Sequence, residues 1–346
     1  MKALVYEGPG EKTWTDRPDP TIQDPRDAIV RIDTTTICGT DLHILGGDVP
    51  SVEPGTVLGH EAVGTVVDVG EAVTRISRDE RVLVSCISAC GVCRYCREGR
   101  YGQCLGGGGW VLGHRIDGVQ AEYARIPFAD LSTHHLPSNV SDEAAVMLAD
   151  ILPTGYEIGV RYGQVRPGDT VVVIGAGPIG LAAIMTARLY SPSHIIAVDK
   201  AESRLQAAKH VGADYTVTPD GDPQELVRAV TDGLGADTVM EAVGIPETFE
   251  LCVQLVRPGG HVANIGVHGK PATLHLEEQW NRNITITTGL VDTHSTPTLL
   301  KLLESGQLDV SHMITHRFGL HGILEAYDVF SDPAHTGAIK IALSRR

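Results

Sequence analysis

Aromatic side chains are scarce in this chain of 346 residues, where Trp, Tyr and Phe together make up 5%. Positive charge is also short: 28 Lys and Arg stand against 43 Asp and Glu, for a formal charge of −15. A chain this acidic lacks the field that holds a phosphate backbone, which argues against a nucleic-acid partner. Long apolar runs are missing as well. The longest uncharged stretch, Thr170–Ala187, is interrupted by Gly175, Gly177, Pro178 and Gly180, so it reads as strand, turn and helix start, not as a membrane span. The first residues show no apolar core of the secretory kind, and the expectation is a soluble, cytoplasmic protein with no membrane partner. The length suits two packed domains, and hydrophobic (42%) and charged (21%) fractions are those of ordinary globular chains.

Against this background the cysteines stand out. Four of the seven form one local pattern, Cys90-x2-Cys93-x2-Cys96-x7-Cys104. Without an export signal, closely spaced cysteines favour a metal over disulfides. Two-residue gaps let successive sulfurs converge on one zinc ion, and the longer gap lets the chain return to close a tetrahedron of thiolates. Such a closed site is structural, and Arg94, Arg97 and Arg100 are placed to offset its negative charge. Cys86, at the end of an apolar strand-like run, and Cys252, in a helix-like stretch, read as small core residues. Cys38 differs. It lies in Ile37-Cys-Gly-Thr-Asp-Leu-His43, shortly before Gly59-His-Glu-Ala-Val-Gly64, so that possible ligands and proton carriers crowd into two glycine-bearing segments.

The middle of the chain carries a nucleotide signature. Thr170–Ile174 is a short β-branched run of the buried parallel-strand kind. It leads into Gly175-Ala-Gly177-Pro178-Ile179-Gly180 and an apolar helix. Glycines at this spacing allow a tight turn, backbone approach to a pyrophosphate, and close helix–strand contact, with free N–H groups at the helix start. A second strand ends at Asp199, where a carboxylate can bond the adenosine ribose hydroxyls and repel a 2′-phosphate, which argues for NAD. Lys200 and Arg204 nearby soften that exclusion. Strands and helices then alternate to a sixth strand over Asn283–Leu290, the pattern of a doubly wound α/β fold. Residues 1–150 instead read as short strands between Gly/Pro turns, a β-rich, barrel-like region, and helices and a strand follow after about 293.

Taken together and in this order, the Cys38–His43 segment, Gly59-His60-Glu61, the four-cysteine lobe and the glycine-rich domain resemble the zinc-dependent medium-chain alcohol dehydrogenases. In look they are nearest the bacterial tetrameric (secondary-)alcohol dehydrogenases. The resemblance covers nearly the whole chain. It implies an α/β protein with a GroES-like β-rich catalytic domain (1–152 and 294–346, zinc lobe about 86–110) and a six-stranded Rossmann domain (153–293), the active site lying between them. It further implies two zinc ions per chain, NAD as cofactor, a small-molecule alcohol, aldehyde or ketone as substrate, and a homo-oligomer, tetramer before dimer.

By the same resemblance Cys38 and His60 are catalytic zinc ligands. The family's usual set of two cysteines and one histidine is not matched here: where the third ligand should stand, just before the Rossmann domain, the sequence has Asp150. That looks like the bacterial secondary-alcohol dehydrogenases, and a carboxylate is a competent zinc ligand. Glu61 would complete the resting coordination, and Asp41 would hold the His60 ring. Thr40 and His43 would carry the alcohol proton to solvent. Cofactor contacts are expected from Gly175, Gly177, Pro178, Ile179, Gly180, Asp199, Lys200, Arg204, Val243, Ile265, Gly266, Leu290 and Val291. Leu45, Trp110, Leu112 and Ile151 would wall an apolar pocket. Threonine or polyol dehydrogenases of the same family remain alternative readings, as does a non-catalytic NAD(H)-binding sensor; a quinone-reductase-like relative would lack both zinc sites.

Overall fold

The computed structural model describes residues 1–345, which form two compact units. The first comprises Met1–Asp150 and Val291 onward, the second Ile151–Leu290.

The first unit is built on a seven-stranded sheet. Its path runs Ile314–Gly319, Lys340–Ser344, Ala28–Thr36, Ala62–Val69, Arg81–Val84 and Thr133–His135, with Tyr123–Ile126 added beside Ala28–Thr36. The pattern explains the pairing: Ala28–Thr36 and Ala62–Val69 bury small and β-branched residues on the inner face, and the two share the longest ladder. A separate hairpin, Lys2–Gly8 with Glu11–Asp16, turns at Pro9-Gly10. Its second strand is polar and half-exposed, so hydropathy alone does not announce it.

Register within this sheet sets up the chemistry described below. Ala342 lies opposite Thr36, and Thr35 opposite Ala62. Continuing those ladders brings Lys340 beside the Cys38 segment and Glu61 beside Thr36. On the far edge, His134 pairs with Leu83. Its Nε2 is buried and unpartnered, and burial, aided by Arg75, pulls its pKa down to about 4. The unfolded chain therefore takes up a proton that the folded chain refuses. This stability is complete above the unfolded pKa near 6.5 and is lost as pH falls toward 4, by about 3 kcal/mol. Denaturant titrations at pH 7 and pH 5 should show His134→Leu losing less stability on acidification than the parent; equal losses would mean that His134 protonates freely.

The second unit holds six parallel strands in the spatial order Tyr215–Val217, His194–Val198, Thr170–Ile174, Ala236–Glu241, Val256–Asn264, Thr285–Thr288. Thr170–Ile174 is buried along its whole length, as a central strand covered on both faces must be. The final strand is shorter than the 283–290 expected, since only Thr285–Thr288 pair. The preceding strand reaches back through Pro258-Gly-Gly260, which reads as a turn. The register slips between Ala236/Val256 and Thr238/His261, so the extra residues bulge out of the ladder. A π-helical stretch, Gly155–Arg161, has no signature in residue spacing.

Candidate functional site

Cys38 caps a short helix, Gly39–Leu45, with extended backbone, and Asp41 in that helix returns to accept the Cys38 backbone N–H at 2.9 Å. His60 arrives from Gly59, whose φ of +93° and contact with Gln120 leave no room for a Cβ. Asp150 ends the first unit. From three distant points in the sequence these side chains meet: Asp150 Oδ2 lies 3.5 Å from Cys38 Sγ and 3.4 Å from His60 Nε2. Ligand atoms of Cys38, His60 and Glu61 also lie within 4.8 Å of one another. All four residues are buried.

Sulfur, imidazole nitrogen and carboxylate oxygen form a donor set that suits zinc. The electrostatics agree. Asp41, Glu61 and Asp150 bring buried acids together, and Lys340 is the one buried lysine among the described residues. Burial pulls the His60 pKa down, yet hydrogen bonds to Asp150 and Cys38 more than reverse this and set it well above its usual value. Burial also raises the Cys38 and Asp41 pKa values. The cluster therefore calls for positive charge, from a proton or from a metal ion.

The surroundings hold each group in place. Glu61 Oε2 accepts from Thr36 Oγ1 at 2.5 Å and from Lys340 Nζ at 2.5 Å, and Lys340 also donates to the Ile37 carbonyl. This leaves Glu61 Oε1 buried without a hydrogen-bond partner. Asp41 Oδ2 takes the Gln120 amide, whose oxygen accepts from the buried Tyr327 hydroxyl. Asp41 Oδ1 faces His60 Nδ1 at 3.9 Å and has no partner either. A buried Glu61 acceptor without a partner, beside one imidazole and one thiol, fits a bound cation.

Lys340, Thr36, Gln120 and Tyr327 were not among the residues singled out in the sequence. Lys340 does leave a trace there, as a lone charge inside the apolar run Ile339-Lys-Ile-Ala-Leu343. Cys86 is the core residue expected, buried with Ile87 and Val291, and its Sγ also sits 3.6 Å from Asp150 Oδ1. Burial, reinforced by Asp150, raises its thiol pKa well above the usual value.

Thr40 faces Cys38 Sγ at 3.7 Å, and His43, one helical turn on, is half-exposed with Nδ1 on Asp48 at 2.9 Å. Trp110 meets the His60 ring edge-to-face at 6.3 Å and stacks on His114. Leu112 is fully buried in a core cluster with residues of the sheet strands. Leu45 packs at the margin of another core cluster, and Ile151 belongs to the second unit. A concavity of about 540 Å³ lies elsewhere in the first unit, among Arg75, Tyr101, His134 and Lys301, and Cys38, His60, Glu61 and Asp150 do not line it.

The four lobe cysteines converge independently, their sulfurs within 4.8 Å of one another and Cys90 to Cys96 at 3.9 Å. A zinc tetrahedron with ordinary bonds needs sulfurs about 3.8 Å apart. Backbone N–H groups of Cys96 and Leu105 point at Cys93 Sγ, those of Cys90 and Gly106 at Cys104 Sγ. Those amides bring the Cys93 pKa down to about 6, the backbone bond from Cys96 contributing most. A Cβ on Gly106 would come within 2.6 Å of Cys90 Sγ, so the loop closes tightly over the sulfurs. Of the three arginines expected to offset the lobe's charge, Arg94 and Arg100 pair with Glu98, and backbone amides donate to the sulfurs.

In the second unit, Gly175 adopts φ +95°, and a Cβ on Gly180 would fall 1.7 Å from the Gly175 carbonyl. At Gly177, the N-cap of the helix Pro178–Ala187, a Cβ would meet Arg204 Nη1 at 4.0 Å. That cradle suits a pyrophosphate. Pro178 and Ile179 open the helix half-buried. Asp199 accepts the backbone N–H groups of Ala176 at 2.7 Å and Ala201 at 2.9 Å, tying the glycine loop to its strand, with Arg204 at 3.9 Å and Lys200 exposed. Glu241 fixes the Val243–Gly244 turn through both backbone N–H groups. Val243 and Leu290 are exposed, Ile265 is buried and Gly266 packs against Glu241. Val291 lies in the first unit, buried with Cys86 and Ile87.

Known proteins match along the whole chain. The alcohol dehydrogenase GroES-like domain matches residues 24–138, and the zinc-binding dehydrogenase family matches 178–305. An alcohol dehydrogenase of Cupriavidus necator is 37% identical across 99% of this chain and 98% of its own. A sorbitol dehydrogenase of Halalkalibacterium halodurans is 32% identical across 99% of each. Among solved structures, zinc dependent alcohol dehydrogenase 2 from Streptococcus pneumonia, in its apo form, is similar with a TM-score of 0.96. It is 49% identical, and the match covers 99% of this chain and 98% of that one. With these likenesses spanning both units, the chain belongs to the zinc-dependent medium-chain alcohol dehydrogenases, oxidoreductases of GroES-like and Rossmann-like parts.

Proposed function

We propose that this enzyme oxidises small or medium alcohols to aldehydes or ketones with NAD, reversibly, at a site built on Cys38, His60 and Asp150. The observation that carries this is the meeting of those three side chains, buried, beside the orphaned Glu61 Oε1. Zinc bound there supplies Lewis acidity at the alcohol oxygen, and NAD supplies the hydride acceptor. The chain's own residues do the rest. Cys38, His60 and Asp150 hold the metal, Glu61 stands ready as an exchangeable further ligand, and Asp41 orients His60 with its free oxygen. Thr40 takes the alcohol proton. His43, on the same helical face and bonded through Nδ1 to Asp48, keeps Nε2 for passing a proton to solvent. Trp110, beside His60, walls the substrate side with apolar surface. The glycine cradle takes the pyrophosphate, and Asp199 with its negative charge favours NAD over NADP. The lobe of Cys90, Cys93, Cys96 and Cys104 holds a structural zinc. We further assign Met1–Asp150 with the segment from Val291 to catalysis, and Ile151–Leu290 to the dinucleotide.

A homo-oligomer, tetramer before dimer, fits the free edge of Thr285–Thr288 and the exposed Leu276 and Trp280 nearby. A reducing cytoplasmic setting fits seven free thiols. Among the described residues no helix is long and apolar enough to cross a membrane.

The experiment is NAD⁺ and NADP⁺ reduction, followed by absorbance, on zinc-loaded protein with matched primary alcohols, secondary alcohols and polyols. Turnover of simple alcohols with at least about tenfold preference for NAD⁺, worth about 1.4 kcal/mol at the 2′ position, is expected. Turnover confined to polyols would move the substrate class toward that of the sorbitol dehydrogenase relative. No turnover of any alcohol would sink the reading.

A further inference from the structure

We propose that Cys86 is a positioning residue for Asp150. Its thiol donates to Oδ1 and so turns Oδ2 toward Cys38 and His60. The inference rests on the proposed reading of Asp150 as a metal ligand.

The geometry is asymmetric in an informative way. One carboxylate oxygen, Oδ2, lies 3.5 Å from Cys38 Sγ and 3.4 Å from His60 Nε2. The other, Oδ1, lies 3.6 Å from Cys86 Sγ, within reach of a hydrogen bond to sulfur. An ionised carboxylate can only accept, so the thiol is the donor in that contact. Cys86 is itself fixed: its backbone N–H donates to the Ala149 carbonyl at 3.0 Å, tying the thiol's own backbone to the residue before Asp150. It is 3% exposed and packed with Ile87 and Val291, an apolar setting. A monodentate carboxylate ligand free to rotate would expose either oxygen to the metal. A donor on one oxygen selects the other and shortens the search for the bound geometry. The hydrogen bond that ties the Cys86 thiol to the cluster runs to Asp150, so Cys86 acts through that carboxylate.

The test begins with metal content of the parent protein. Two zinc ions per chain uphold the reading of the site, whereas one ion, held by the lobe, defeats that reading before Cys86 is tested. Chelator competition then measures affinity for the ion bound by Cys38, His60 and Asp150 in three variants: Cys86→Ala, Cys86→Val and Cys86→Ser. Loss of an outer partner of this kind weakens metal binding by about 10-fold or more, so Ala and Val should both fall by that much while Ser, which keeps a donor, stays within about threefold. Val guards against a packing void or a fold failure in Ala. Cobalt placed at this site alone gives the second readout, since its thiolate charge-transfer band counts sulfur ligands. The band should keep its intensity in all three variants. A weaker band would make Cys86 a ligand itself, and unchanged affinity in Ala and Val would leave it no role. Equal weakening in Ser and Ala would show that the hydrogen bond is not what matters. Each of these three results overturns the proposal.

Discussion

Asp150→Asn should take the protein from two zinc ions per chain to one and lower kcat/KM by about a thousandfold or more. The substitution is nearly isosteric, so the fold is spared. Its effect is chemical: a neutral amide replaces the carboxylate whose Oδ2 meets both Cys38 and His60. A Lewis acid at the reacting oxygen is worth several kcal/mol of transition-state stabilisation, and each 1.36 kcal/mol is about tenfold in rate. The lobe shares no residue with this cluster and should keep its ion. Metal analysis after dialysis against chelator, with denaturant unfolding as the control for folding, gives the answer. A variant that retained both ions and near-parental turnover would mean that Glu61 or another group is the third ligand.

Lys340→Met should be the most destabilising single change near the site. Lys340 and Glu61 are each about 1% exposed in their side chains and lie 2.5 Å apart. Their pairing offsets two desolvation costs at once. Removing the cation leaves a buried carboxylate held only by Thr36, and breaking such a pair costs about 3–5 kcal/mol. Methionine keeps the length and apolar stem, so little of the loss comes from packing. Unfolding of the metal-free protein by denaturant reads the effect, and Lys340→Met with Glu61→Gln should recover most of it, because the amide carries no charge to strand. If the single variant loses less than about 1 kcal/mol, the pair is not holding Glu61 in the way its burial implies.

What the sequence revealed and what it hid divide along physical lines. The four-cysteine lobe was legible because its sulfurs lie close in sequence, so spacing alone brings them together. The glycine loop was legible because each glycine answers a steric demand; the Gly175 carbonyl 1.7 Å from a notional Gly180 Cβ is such a demand made visible. Cys38 and His60 were legible as chemically loaded segments, and Asp150 through likeness to a family. Lys340 was not, since its partner Glu61 lies 279 residues away and only sheet register joins them. Gln120 and Tyr327 are hidden for the same reason: a chain of hydrogen bonds reaching Asp41 crosses 207 residues between its last two members. Cys86 was legible as a core residue, but its 3.6 Å contact with Asp150, 64 residues away, was not. The turn at Pro258-Gly-Gly260 proved a bulge within a strand, for neighbouring strands can absorb extra residues that local propensity assigns to a loop.

The four-cysteine lobe and the cluster around Cys38 differ in how the chain must be assembled to make them. The lobe closes between Cys90 and Cys104, so a nascent chain can capture an ion there as soon as that short loop has emerged. The other cluster needs Cys38, His60 and Asp150 together with the Lys340 that secures Glu61, and Lys340 follows the entire 151–290 unit in the order of synthesis. Until that strand docks against Ala28–Thr36, Glu61 has no counter-charge and the reactive pocket is incomplete. In the order of synthesis the lobe is complete before the second unit is made, whereas Glu61 gains its counter-charge only after it.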